Sequence, residues 1–314
     1  MKKQVFLWVT IMLLSATQSN AKELQALFYN ASFFSQVEGP YVETYLKIFG
    51  PSATYVKTAR GTYQASLKVT LLFKKSDQIV DFRKYNLLSA ELEDTLKNQP
   101  NFIDQQRIPL PYGDYKIEIS IADNNSKEVP IKKTCDLVMK YNSTEVKFSD
   151  FQFVESFQPT KKENILTKNG FDLVPYVGNF FPPSINLLTF YAELYNSDKR
   201  IGEHQNILLR YYLELAESQT LLTGFSKFQR QPSAGVNPLL ANLDISKLPS
   251  GNYHMVIEAR DSKNEVIAVN KIYFERDNPG VLFDLSDIKL VDVSATFAEK
   301  ITSLDSLTFY VESL

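Results

Sequence analysis

A single cysteine, Cys135, excludes an internal disulfide, so no covalent staple holds this chain. Histidine is almost as scarce: His204 and His254 are the two in 314 residues, which argues against a His-rich metal site. No G-x-S-x-G elbow, P-loop or G-x-G-x-x-G fingerprint occurs. The formal net charge is −2, so there is no strong electrostatic pull toward nucleic acid. What is present is a globular composition, 44% hydrophobic and 22% charged, with 22 Phe and 17 Tyr that favour strands.

The first residues read as a targeting segment. Lys2 and Lys3 form a positive end, Val5 to Ala16 is apolar around the lone Trp8, and Ser19-Asn20-Ala21 places small residues before a cut. The apolar core is too short to span a bilayer well, so residues 1–21 are expected to be a signal peptide. Its removal takes Lys2 and Lys3 from a chain of net charge −2 and leaves −4, with no transmembrane segment. No cysteine follows the apolar core to carry a lipid anchor. Export without disulfides points to a bacterial periplasm or cell envelope.

One stretch occurs twice. Leu110-Pro111-Tyr112-Gly113-Asp114-Tyr115 runs on to Asp123, and Leu248-Pro249-Ser250-Gly251-Asn252-Tyr253 runs on to Asp261. The tyrosines are 138 positions apart, and so are the aspartates, as expected for two copies of one β domain. Proline and glycine suit a turn, and the tyrosine opens an alternating run: Tyr115, Ile117, Ile119 and Ile121 on one face, Lys116, Glu118 and Ser120 on the other. A tyrosine just after a glycine turn is what the tyrosine corner of immunoglobulin-like sandwiches requires. Each is expected to support its own domain, so that loss of Tyr253 would unsettle copy two alone.

Alternation elsewhere predicts further strands, the cleanest being Tyr63, Ala65, Leu67, Val69, Leu71 and Phe73. Ser89 to Lys97 is expected as a short helix with Ser89 as its N-cap. Gln158 to Ser184, rich in Pro and Gly, is expected to be a loop. Phe148-Ser149-Asp150-Phe151 recurs as Leu285-Ser286-Asp287-Ile288 after 137 positions. Tyr-x-Glu recurs at Tyr41-Val42-Glu43, Tyr191-Ala192-Glu193 and Tyr310-Val311-Glu312. The expected organisation is therefore a β-sandwich over 22–147, a second over 148–284, and an incomplete third repeat or tail over 285–314. The fold class is all-β, with tandem immunoglobulin-like sandwiches.

These features together resemble the N-terminal region of exported Bacteroidota proteins called GWxTD domain-containing proteins. The leader, Gly39-Pro40-Tyr41-Val42-Glu43, Phe190-Tyr191-Ala192-Glu193-Leu194-Tyr195-Asn196 and the two L-P-x-G-x-Y strands carry the resemblance. The Gly-Trp-x-Thr-Asp motif itself is absent, so the resemblance implies fold and compartment and little about activity.

Several residues invite a chemical role. Glu43, Glu193 and Glu312 are carboxylates in register, but equivalent strands of separate domains are not expected to form one site. Asp123-Asn124-Asn125 and Asp261 offer oxygen ligands without a full calcium loop, and suit hairpins better. His204 and His254 are expected to be solvated, and Cys135 to be a half-buried strand thiol. Asn30, Asn124 and Asn142 match the glycosylation sequon, normally unused in bacteria. No catalytic, cofactor-binding or metal-ligating residue is assigned, and no cofactor is implied. The expected function is non-catalytic binding or scaffolding, with a protein or envelope component as partner. The alternatives are a carbohydrate-binding accessory module, with Tyr212 or Phe180-Phe181 as the aromatic platform, or the front of an enzyme whose catalytic part lies beyond Leu314.

Overall fold

The computed structural model describes residues 23–96, 98–139 and 145–282. The expected signal peptide 1–21, Asn142, Glu312 and the expected third repeat 285–314 lie outside the described residues. The first sandwich comprises β1 (Ala26–Ser35), β2 (Gly39–Ile48), β3 (Tyr55–Lys57), β4 (Tyr63–Lys75), β5 (Gln78–Leu88), β6 (Phe102–Pro109), β7 (Gly113–Asp123) and β8 (Ile131–Met139). One sheet runs β1-β2-β6; the other runs β5-β4-β7-β8, with β3 also on β4. Leu67, Val69, Leu71 and Phe73 of β4 meet Ile117, Ile119 and Ile121 of β7 and Val42 and Leu46 of β2 in one core.

The second sandwich contains β9 (Lys147–Phe148), β10 (Gln152–Pro159), β11 (Thr167–Lys168), β12 (Phe171–Pro175), β13 (Phe180–Phe181), β14 (Leu187–Tyr195), α1 (Ser197–Ile201), β15 (Asn206–Leu215), β16 (Leu221–Pro232), β17 (Val236–Asp244), β18 (Gly251–Arg260) and β19 (Val266–Arg276). Its sheets are β11-β12-β10-β14-β17, with β9 also on β14, and β13-β19-β18-β15-β16. Strands β14, β15, β16, β17, β18 and β19 repeat the pairing of β2, β4, β5, β6, β7 and β8. The fold is thus an immunoglobulin-like sandwich built twice.

Both corner tyrosines do what the sequence requires of them. Tyr115 Oη donates to the Pro111 carbonyl at 2.7 Å, and Tyr253 Oη to the Pro249 carbonyl at 3.0 Å. At Gly251 a Cβ would stand 3.1 Å from the Tyr253 hydroxyl, so glycine leaves the space the ring folds into.

Two expectations are corrected. Residues 89–96 form no helix: the Ser89 hydroxyl accepts from the Ala65 amide at 3.0 Å, and the Leu92 backbone pairs with Tyr63. The would-be cap is spent on strand β4 instead. Gln158 to Ser184 is not an irregular loop either. It holds the β11–β12 hairpin, whose two-residue turn Asn169-Gly170 has positive φ at both positions, 46° and 84°. That is the backbone of a type I′ turn, which Asn-Gly favours.

The two sandwiches stack sheet on sheet. Sheet β1-β2-β6 packs its outer face on β12-β10-β14-β17, and Ala31, Phe33, Tyr41, Tyr45, Val154, Leu173 and Tyr191 bury themselves between them. An antiparallel sheet usually leaves one face to water. Here β2 and β14 are buried on both.

Candidate functional site: a charge cluster between the sandwiches

The repeated Tyr-x-Glu is the centre of this buried layer. Both copies extend to Tyr-x-Glu-x-Tyr: Tyr41, Glu43 and Tyr45 on β2, and Tyr191, Glu193 and Tyr195 on β14. Period two sends Val42 and Leu46 into the first core and Ala192 and Leu194 into the second. The tyrosines and glutamates are left on the faces that meet. The expectation that Glu43 and Glu193 lie in unrelated places is therefore overturned: sheet stacking brings them to one cluster.

Glu43 is 0% exposed. Its Oε1 accepts from Arg107 Nε at 2.9 Å, with Nη2 at 2.8 Å, and its Oε2 lies 2.9 Å from Lys168 Nζ and accepts from the Tyr45 hydroxyl. Burial alone would raise its carboxyl pKa, but Lys168, Arg107 and the Tyr45 hydrogen bond together hold it below the ordinary value. Glu193 is satisfied differently, by hydroxyls and an amide: Tyr191 and Tyr195 donate to it, Tyr195 at 2.6 Å, and Asn169 Nδ2 donates at 3.2 Å.

Lys168 comes from the hairpin. Its ammonium sits 3.0 Å from the Phe33 ring centroid and 5.1 Å from that of Tyr191. Burial draws its pKa down, while Glu43 and Glu193 hold the proton on. Arg107 stacks 5.1 Å from the Tyr41 ring and reaches the Ile165 and Thr167 carbonyls of the second sandwich, at 3.5 and 3.4 Å. Two carboxylates thus face an ammonium and a guanidinium, and the formal charges cancel. Burial, followed by the neighbouring glutamates, pushes Tyr41, Tyr45, Tyr191 and Tyr195 well above the ordinary phenol value. They remain O–H donors throughout the working pH range.

A strap of backbone closes the junction. Asp150, from the recurring Phe-Ser-Asp-Phe, accepts from the Ser32 amide at 2.8 Å and from its hydroxyl. The Asp150 amide returns a bond to the Ser32 carbonyl at 3.1 Å. Tyr29 donates to the Phe151 carbonyl at 2.8 Å, and the Tyr195 hydroxyl accepts from the Phe34 amide at 2.9 Å. Beside this strap lies a cleft of about 270 Å3, bordered by Phe34, Lys147, Asp150, Tyr195 and Asn270.

The other candidates fall elsewhere. Asp123 accepts from the Thr54 and Asn125 amides at 2.8 and 2.9 Å, and Asp261 from the Lys263 and Glu265 amides, both at 2.9 Å. These carboxylates organise turns. Among the described residues no cluster of three or more His, Cys, Asp or Glu is placed to hold a metal. His204 is exposed at positive φ, whereas His254 is not the solvated residue expected: it is half-buried, with Nδ1 3.4 Å from Glu214. The Cys135 thiol is half-buried, and burial, then Asp136, pushes its pKa up. Neither Tyr212 nor Phe181 can be a platform. Tyr212 is buried and bonded to Glu258 at 2.8 Å, and Phe181 lies in the core against Tyr176; Phe180 is exposed beside it. No sequence motif marks Lys168 or Arg107 as functional, although the Asn-Gly after Lys168 marks its hairpin.

No family model matches the chain, and no curated protein does. Solved structures with similar strand arrangements include the CBD12 region of CALX1.2, at 14% identity over 72% of this chain and 76% of that one, with a TM-score of 0.20. The fibronectin(III)-like modules of Clostridium thermocellum CbhA align at 9% over 77% and 88%, with a TM-score of 0.21. A glycosyl hydrolase family 2 member from Bacteroides cellulosilyticus aligns at 10% over 74% of this chain, with a TM-score of 0.26; the chain spans 28% of its length. Such likeness carries no argument about activity.

Proposed function

We propose that the chain is an exported, non-catalytic binding or scaffold protein of the bacterial cell envelope, acting as one stiff unit of two sandwiches. The observation that supports this most is the sealed state of the recurring carboxylates. Glu43 and Glu193 are 0% and 6% exposed, and each is engaged by cations, hydroxyls or an amide. A general acid or nucleophile must reach a substrate; these carboxylates reach only their partners. A buried ionic cluster costs desolvation, and its best-attested return is a defined register between packed elements. Here that register is the angle between two β-sandwiches. The leader at 1–21 supports the compartment.

Small-angle scattering of the mature chain tests stiffness. One rigid arrangement should fit the curve; a curve that requires an ensemble of interdomain angles would overturn the scaffold reading. Mass spectrometry of the exported protein should find Lys22 at the N-terminus, and an intact Met1 on periplasmic protein would refute cleavage after Ala21.

A further inference from the structure

The outward face of sheet β5-β4-β7-β8 is a largely polar surface of the first sandwich. Its side chains stand in rows set by strand register. One row is Lys84, Thr70, Ser120 and Lys132; the next is Phe82, Leu72, Glu118 and Thr134. Adjacent strands are about 4.8 Å apart, so the lysines at the row ends are separated by about 14 Å at the backbone. Between them lies a shallow trough of about 480 Å3 that includes Thr70, Leu72, Glu118, Ser120, Lys132 and Thr134.

Charge on this face leans positive. Lys68, Lys74, Lys84, Lys116 and Lys132 point outward against Asp114, Glu118 and Asp136, in a chain whose net charge is negative. Lys74 pairs with Glu118 at 2.6 Å, but among the described residues the other four lysines form no ion pair. The hydroxyls of Thr70, Ser120 and Thr134 likewise have no hydrogen-bond partner within the described chain. At the β5 end of the second row, Phe82 is 60% exposed beside the half-buried Leu72.

The second sandwich provides an internal control. On its equivalent face Lys271 pairs with Glu214 at 3.1 Å, Arg260 with Glu258 at 2.8 Å, and Arg210 stacks 4.7 Å from the Tyr212 ring. There the cations of β15, β18 and β19 are engaged, and Tyr212 and Val256 are buried although they point outward, while Phe228 of β16 is 68% exposed. Fold alone therefore does not demand unpaired lysines at these positions.

We propose that the β5-β4-β7-β8 face of the first sandwich binds a linear carboxylated polysaccharide. Lysines at both ends of a row supply counter-charges for uronate groups. The hydroxyls between them both donate and accept, as sugar hydroxyls do. The Phe82–Leu72 ledge offers an apolar surface for the C–H face of a pyranose ring. An extended peptide would need a clean strand edge, and β5 has a bulge between Phe73 and Lys74 of its partner and carries Arg83 and Lys84. The assignment deepens the binding reading above and rests on it.

Affinity electrophoresis and calorimetry of the mature protein with polygalacturonate test it. Retardation by polygalacturonate is expected, weakening with salt, with none by the neutral polymer dextran. Lys84→Gln with Lys132→Gln should weaken binding about tenfold without shifting the melting temperature. Phe82→Ser should weaken it as well. The pair Lys227→Gln with Arg230→Gln, on the second sandwich, should leave it unchanged. Equal retardation by polyglutamate, binding to phosphatidylglycerol vesicles but not to polygalacturonate, or no binding at all would overturn the proposal. The scattering result stands apart from each of these outcomes.

Discussion

The two sandwiches share pairing order, corner tyrosine and Tyr-x-Glu-x-Tyr strand, yet they satisfy the same glutamate by different means. Glu43 of the first is held by two cations, and Glu193 of the second by hydroxyls and an amide. The difference comes from what is not repeated. The β11–β12 hairpin has no counterpart among the described residues of the first sandwich, and it delivers both Lys168 to Glu43 and Asn169 to Glu193. A duplicated fold becomes a single unit through a piece its copies do not have in common.

That comparison breaks most severely at Lys168. Lys168→Met should leave Glu43 buried with Arg107 alone and cost about 3–5 kcal/mol in chemical denaturation. Acid should act on the same pair. Folded Glu43 binds its proton more weakly than the unfolded chain does, so its contribution is present above the unfolded pKa of about 4.3 and is lost as pH falls through the lower folded value. Glu43→Gln should flatten the loss of stability between neutral and acid pH; an unchanged acid profile would contradict the pairing.

Tyr253→Ala should cost about 3–5 kcal/mol as well, for it empties a fully buried aromatic site. With the sheets stacked face to face, it should lower one shared transition and not that of the second sandwich alone. Two separate calorimetric transitions would show that the stacked layer does not couple the halves. Glu193→Gln should cost less, about 1–3 kcal/mol, since it unbalances hydrogen bonds without stranding a cation in direct contact. A cost as large as that of Lys168→Met would erase the distinction between the two glutamates. Smallest is Gly170→Ala, which places a Cβ at φ +84° and should cost about 1–2 kcal/mol.

Much of each sandwich is written locally and was legible. The corner tyrosines announce themselves because proline, glycine and tyrosine act within a few residues of one another, and β4 because its alternation is clean. The junction was not legible for a physical reason. Tyr-x-Glu-x-Tyr alternates like any strand with one wet face, and nothing local says that a second sheet will cover it. Ser89 misled because one hydroxyl can cap a helix or serve a neighbouring strand, and only the tertiary position of Ala65 decides. Lys168 lies in a Pro- and Gly-rich stretch whose composition favours a loop, although Asn169-Gly170 between Lys168 and Phe171 is a strong hairpin signal.

The neutral quartet of Glu43, Arg107, Lys168 and Glu193 also bears on inheritance. Recombination that exchanged either half for a foreign sandwich would strand a carboxylate or an ammonium on an apolar surface, a loss of several kcal/mol. Changes on the outward sheets leave this quartet untouched, whereas the stacked pair must be passed on whole.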